Sequence, residues 1–94
     1  MRKIERTTQF KRDYKRETKN PRSQTWLPTF YAVLEFLCLD KLLADKHRDH
    51  QLTGNWRDHR DCHIRPDLVL LYRLPNEHTI QLVRLGSHSE LNLY

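Results

Sequence analysis

Glycine and cysteine are both scarce in this chain, with two of each among 94 residues. So few glycines leave no flexible linker to mark a boundary, and neither an internal repeat nor a low-complexity segment interrupts the sequence. A chain of this length has room for one domain with one modest core, spanning residues 1–94. Cys38 and Cys62 have neither metal-type spacing nor a disulfide-rich context, so both read as small core residues in a reducing compartment. No apolar run approaches the roughly 18 to 20 residues of a membrane span, and Met1-Arg2-Lys3 leads straight into charged sequence. The expectation is a soluble, cytoplasmic protein that is not exported and has no membrane partner.

Positive charge is abundant and uneven. The net charge is +5, and residues 1–22 hold nine Lys/Arg against three acids, whereas residues 23–45 hold one Lys against three acids. Such asymmetry suits a polyanionic partner such as nucleic acid, although a solvated basic face has the same composition.

Apolar content of 37% fits a folded chain. Residues 2–6 predict a short strand, and Thr7 or Thr8 caps a following helix with Phe10 and Tyr14 four apart on one face. Asn20-Pro21-Arg22-Ser23 breaks that helix. Thr25 is a candidate cap for a second, placing Pro28 in the first turn, where a missing N–H costs no bond. Trp26, Phe30, Val33, Leu34, Leu37 and Cys38 recur at spacings of three and four, predicting a core-facing helix to about Ala44. Residues 45–55 read as a polar loop. Strand character follows at 56–65, 68–74 and 79–85, joined by Arg65-Pro66-Asp67 and Pro75-Asn76-Glu77-His78. Short connections imply an antiparallel meander. The expected fold class is α+β, an N-terminal helical hairpin packed on a small twisted antiparallel β-sheet.

The candidate chemistry lies between His50 and Asp67, with His88 near the end. Side chains two apart on a strand share a face, so Asp61 and His63 project together, with His59 and Arg65 on that side and Asp67 in the turn beyond. Zinc is one option, but His59 and His63, four apart, stand about 13 Å apart along a strand, leaving only Asp61 and His63 close enough in sequence to share an ion easily. Metal-free RNA cleavage is another. It needs a base for the ribose 2′-OH proton and an acid for the leaving 5′ oxygen, roles that histidine fills near neutral pH. A neighbouring Asp orients the ring and Arg stabilises the extra charge on the phosphate. The chain holds His50, His63 and His88 with Asp61 and Asp67, and Arg60, Arg65 and Arg84 nearby. On composition and spacing alone, histidines that are solvated or satisfied locally remain the simpler account.

The run His50-x-Leu52-x-Gly54-x-Trp56, then Arg60-Asp61-x-His63-Ile64-x-Pro66-Asp67-Leu68, then Leu71-Tyr72-Arg73 and Leu85-Gly86-Ser87-His88-Ser89-Glu90-Leu91, resembles the YafQ-type toxins over essentially the whole chain. These belong to the RelE/ParE superfamily of bacterial toxin-antitoxin systems. The resemblance implies a RelE/ParE-like fold and a ribosome-dependent endoribonuclease, an mRNA interferase that cuts message in the A site of the 70S ribosome. No metal or cofactor takes part, and a 2′,3′-cyclic phosphate is left. Carried onto this sequence, the catalytic positions are His50, His63, Asp67 and His88, with Asp61 as supporting carboxylate. The preferred assignment makes His50 and His88 the acid/base pair and gives His63 and Asp67 the positioning of ribose and phosphate. Arg60, Arg65 and Arg84 are candidate phosphate contacts, as are Lys11, Arg12, Lys15, Arg16 and Lys19 of the first helix. The family often has an aromatic directly after the His-x-x-Leu unit; here Asn92 stands there and Tyr94 is the candidate base-stacking residue. His59 occupies a position that is frequently Tyr and reads as an exposed substitution.

The resemblance further implies a cognate antitoxin of the DinJ type, a ribbon-helix-helix dimer whose tail folds on the toxin. The expected assembly is a heterotetramer of two toxins and two antitoxins that binds operator DNA through the antitoxin. Two rivals share the fold: a gyrase poison of the ParE branch, which lacks these histidines, and a translation inhibitor that binds without cutting.

Overall fold

The computed structural model describes residues 1–91. The chain enters as β1 (Lys3–Arg6), forms α1 (Thr8–Thr18) and α2 (Ser23–Cys38), and continues through a 3-10 turn at Asp45–His47. There follow β2 (His50–Gln51), a second 3-10 turn at Gly54–Trp56, β3 (Arg60–Arg65), β4 (Leu68–Asn76), β5 (Thr79–Gly86) and α3 (His88–Leu91). The strand order is β1-β5-β4-β3-β2. Strands β2 to β5 make the expected antiparallel meander, but β1 joins β5 in parallel, so the sheet is mixed. Four exposed residues carry no alternation from which that direction could be read.

Thr7 caps α1 as expected, its hydroxyl accepting from the Phe10 N–H. The second helix differs at both ends. It begins at Ser23, not after Thr25, and stops at Cys38, six residues before Ala44. Leu39, Leu42 and Leu43 continue the apolar spacing, but Asp40 adopts a left-handed φ of 57°. The Lys41 N–H then reaches the Phe36 carbonyl and the Asp40 N–H the Leu37 carbonyl. This is the Schellman stop, made with Asp in place of the usual Gly. Arg2 secures it, its guanidinium 2.7 Å from the Asp40 carboxylate and its backbone N–H bonded to the Cys38 carbonyl.

Both helices cover one face of the sheet. Phe10, Trp26, Phe30, Val33 and Leu37 pack there with Ile64, Leu70, Tyr72, Ile80, Leu82 and Leu85, and both free cysteines lie in the same core. On the opposite face a smaller cluster of Leu52, Val69, Leu71 and Leu91 forms a floor.

Where β1 ends, α1 takes over the edge of β5. The Asp13 carboxylate, buried to 2% exposure, accepts from the Leu85 N–H at 3.0 Å and from Arg84 Nε at 2.7 Å. Arg16 donates to the Leu85 carbonyl at 3.1 Å and to Asp13 at 3.2 Å. Two helix side chains thereby satisfy the backbone groups that a paired strand would otherwise meet. Removing the carboxylate leaves a buried N–H and a guanidinium without their acceptor. Asp13→Ala is expected to lower the free energy of unfolding by about 2–4 kcal/mol, with Asp13→Asn in between; equal urea midpoints for Asp13→Ala and parent would remove this pair from the account.

Candidate active site

The two-residue strand β2 sets His50 directly across from Asp61 of β3. Arg48, in the left-handed region at φ 47°, turns its carbonyl toward the ring, and His50 Nδ1–H donates to it at 2.7 Å. A carbonyl only accepts, so this bond puts the proton on Nδ1 and leaves the lone pair on Nε2. The same Nδ1 lies 3.2 Å from Asp61 Oδ1.

Asp61 has no exposed surface. Its second oxygen is 3.3 Å from His88 Nε2. His88 opens α3, and a capping box secures that turn: the Glu90 N–H donates to Ser87 Oγ and the Ser87 N–H to the Glu90 carboxylate. Gly86 allows the approach, because a Cβ there would stand 3.2 Å from Arg16 Nη2 and 3.3 Å from Leu91 Cδ2.

The third ring, His63, sits two residues beyond Asp61 and meets His88 edge-on, with centroids 4.9 Å apart at 68°. Burial first, then the neighbouring His88, hold its pKa below the ordinary histidine value against the pull of Asp61. The strand is pinned here by buried His47, whose Nδ1–H donates to the His63 carbonyl at 2.8 Å. Thus β2, β3 and α3 bring His50, Asp61, His63 and His88 together. Asp61, His63 and His88 also offer one ligand atom each within 4.8 Å of one another. Sequence spacing argued against a shared ion only because it could not supply the ligand from α3.

The other expected site residues are placed less uniformly. Asp67 is exposed in the β3–β4 turn and lines a recess with Glu17, Asn20, Arg22 and Trp26 of the helical hairpin, not with the histidines. Arg84 and Arg16, expected at phosphate, are instead tied to Asp13. Arg65 donates to Thr25 Oγ1. Arg60 Nε is bonded to Asp49 and to the Tyr72 hydroxyl, both at 3.3 Å. Lys11, Arg12, Lys15 and Lys19 stand exposed on α1 with no ion pair among the described residues. Tyr94 lies outside the described residues.

Sequence reasoning missed three supports. Asp49 accepts from the buried Tyr72 hydroxyl at 2.5 Å and so anchors the segment carrying His50; burial and this carboxylate push the Tyr72 phenol upward, keeping it a donor. His47 was passed over as a loop residue, with no pattern to reveal its partner. Asp13 did leave a signal: three residues after Phe10 and one before Tyr14, it is an acid within an apolar stripe.

Burial lowers the pKa of His59 as well as His63, with the Arg73 charge acting in the same direction on His59. As pH falls through the ordinary value of about 6.5, the unfolded chain takes up these protons first. The stability they contribute is full above that value and is lost as pH falls through the folded values. Ring-proton NMR is expected to show both histidines titrating below the ordinary value; a His63 midpoint above it would contradict the assignment.

A family model for YafQ, bacterial toxins of type II toxin-antitoxin systems, matches residues 2–93. The mRNA interferase toxin YafQ of Escherichia coli K12 is 31% identical over 90 residues, covering 96% of this chain and 95% of that protein. Among solved structures, a metal-bound toxin from Helicobacter pylori superposes with a TM-score of 0.86 at 42% identity, covering 97% of this chain and 99% of that one. The toxin of the E. coli DinJ-YafQ complex gives 0.80 at 30% identity, covering 97% and 98%. Sequence over residues 2–93 and fold over 97% of the chain agree, and the chain belongs to the YafQ family of type II toxins, whose curated relatives are mRNA interferases, that is, endoribonucleases.

Proposed function

We propose that this toxin is an endoribonuclease that cuts mRNA in the ribosomal A site by acid/base catalysis and so stops translation. The observation that carries this reading is the convergence of His50, His63 and His88 around the buried Asp61 carboxylate. One histidine of the His50/His88 pair takes the 2′-OH proton. The 2′ oxygen then attacks phosphorus, the bond from phosphorus to the 5′ oxygen breaks, and the other histidine protonates that oxygen. The products are a 2′,3′-cyclic phosphate and a free 5′-OH. Asp61 orients both rings from opposite sides of its carboxylate. His63, disposed to be neutral by its surroundings, contacts the ribose and scissile phosphate, and Asp67 in the hairpin turn is assigned to substrate positioning. Lys11, Arg12, Lys15 and Lys19 supply a cationic row for ribosomal RNA.

The E. coli relative occurs in a complex with DinJ. By analogy this toxin pairs with a DinJ-like ribbon-helix-helix antitoxin, two of each, on operator DNA, and acts in the cytoplasm.

A metal ion fits the site, held by Asp61, His63 and His88, and would supply Lewis-acid character. It would also occupy lone pairs that proton transfer needs. A chelator selective for zinc and copper over magnesium is therefore expected to leave cleavage unchanged, with added zinc or copper slowing it. Cleavage abolished by the chelator and restored by zinc would make this a metal centre.

Primer extension on a defined message, with and without ribosomes, tests the central reading. Discrete cuts requiring ribosomes are expected for the parent, and His50→Ala or His88→Ala should reduce their rate by about a hundredfold or more while antitoxin binding persists. Cutting undiminished in both variants would refute the acid/base pair, and intact message in every lane would refute the nuclease.

A further inference from the structure

Beyond the histidine cluster, the ends of β3 and β4 enclose a recess of about 390 Å³ lined by Arg57, His59, Arg60, Arg73 and Asp58, among others. We infer that this recess is a second RNA subsite, seating the phosphodiester of the nucleotide next to the one cleaved, with Arg57, Arg60 and Arg73 as its phosphate ligands. The inference rests on the nuclease reading for its choice of RNA.

Three observations support it. First, three arginines line the recess with one acid, Asp58; Arg60 is paired with Asp49 outside that lining, and neither Arg57 nor Arg73 has an ion-pair partner among the described residues. Arg60 is the built element of the three: Asp49 and the Tyr72 hydroxyl hold its Nε, so its orientation is fixed before any ligand arrives. A fixed guanidinium presents the fork that phosphate oxygens accept in pairs.

Second, His59 stands on the wall with Nδ1 buried and without a hydrogen-bond partner. Its ring is braced edge-on by Trp56 at 5.1 Å. The ring lines the recess and offers a hydrogen-bonding edge suited to a ribose hydroxyl or a base edge. A buried polar nitrogen left unpaired is costly, and a turn of the ring that brings it to a ligand in the recess would satisfy it.

Third, the recess lies along the same strands as the reacting centre. Asp61 pairs with Leu71, and His59 and Arg73 each lie two residues farther along the same run, about 7 Å away. An extended strand that places its scissile phosphate at His50, His63 and His88 carries a neighbouring phosphate over Arg73. The concave wall, two residues along the strands from Asp61, fits a nucleotide better than an acidic peptide.

The test uses a short 2′-O-methyl oligoribonucleotide, which keeps its phosphates but has no 2′-OH to attack, titrated against the full chain over a range of salt. In the combined Arg57→Ala and Arg73→Ala variant, binding should weaken and the slope of log affinity against log salt should become shallower by about 1.4, two contacts at roughly 0.7 each. The variant with Lys at both positions should recover the slope but only part of the affinity. A slope unchanged from the parent in the alanine variant overturns the subsite, as does an undiminished RNA affinity accompanied by weakened antitoxin binding, which would give the recess to an acidic peptide. The nuclease reading fails separately. Parent protein that leaves message intact while the oligonucleotide slope still responds to Arg57 and Arg73 would sink catalysis and keep the subsite.

Discussion

The Asp13 carboxylate sits where the sheet would otherwise have an unfinished edge, and the position of the site depends on it. β1 ends at Arg6, and Thr7 makes the last strand-like contacts, its N–H to the Leu82 carbonyl and its hydroxyl to that of Val83. Register then slips between β4 and β5, where Leu71 faces Arg84 and Tyr72 faces Leu82. Beyond this bulge α1, not a strand, lies beside β5. Burying a carboxylate is costly unless hydrogen bonds and counter-charge replace its water; here Arg84, Arg16 and the Leu85 N–H do so. Leu85 is one residue from Gly86 and three from His88. The interaction that closes the sheet edge therefore also fixes the segment that delivers His88 to Asp61.

Asp61 is buried as deeply as Asp13, yet its nearest basic partners are imidazoles where those of Asp13 are guanidiniums. Arginine stays charged at any pH the protein meets, so the Asp13 cluster is a fixed brace. Histidine gains and loses its proton near neutrality, so the Asp61 cluster can change its charge state while its frame stays in place. The frame comes from the His50 bond to the Arg48 carbonyl, the Tyr72 bond to Asp49 and the capping box beneath His88. The first bond orients the His50 ring directly, and the other two hold the segments that carry His50 and His88.

Much of this frame was legible because it is periodic. The cap at Thr7, the stripe from Trp26 to Cys38, and β3, β4 and β5 all follow from spacings of three and four or from alternation closed by Pro and Asn. What was not legible is what period cannot encode. A strand of two residues has no period, so β2 was lost in a loop although it sets His50 across from Asp61. The end of α2 was hidden because Asp40 does the work of a glycine. His88 was a candidate by residue type, but no spacing could give its contact with Asp61, which spans 27 residues. Charge counting treated every Lys and Arg as available to RNA, and the fold divides them.

That division bears on how RNA would be held. Arg2, Arg16 and Arg84 are committed within the fold, so a count of basic residues overstates the cationic surface. Two groups flank the site: Lys11, Arg12, Lys15 and Lys19, exposed along α1 and at its C-cap, and Arg57, Arg73 and the Asp49-paired Arg60 at the far ends of β3 and β4. The C-terminal end of α1 approaches the His88 segment, since Arg16 reaches Glu90 at 3.4 Å, whereas the second group lies beyond Asp61 in the direction away from His63. The histidines therefore lie between the two. Because phosphate contacts position without reading sequence, a strand gripped on both flanks would be held in register over the reacting groups whatever its bases. In the proposed mechanism, any preference among bases then comes from the floor of the site or from a base-edge contact such as that of His59, not from the cations.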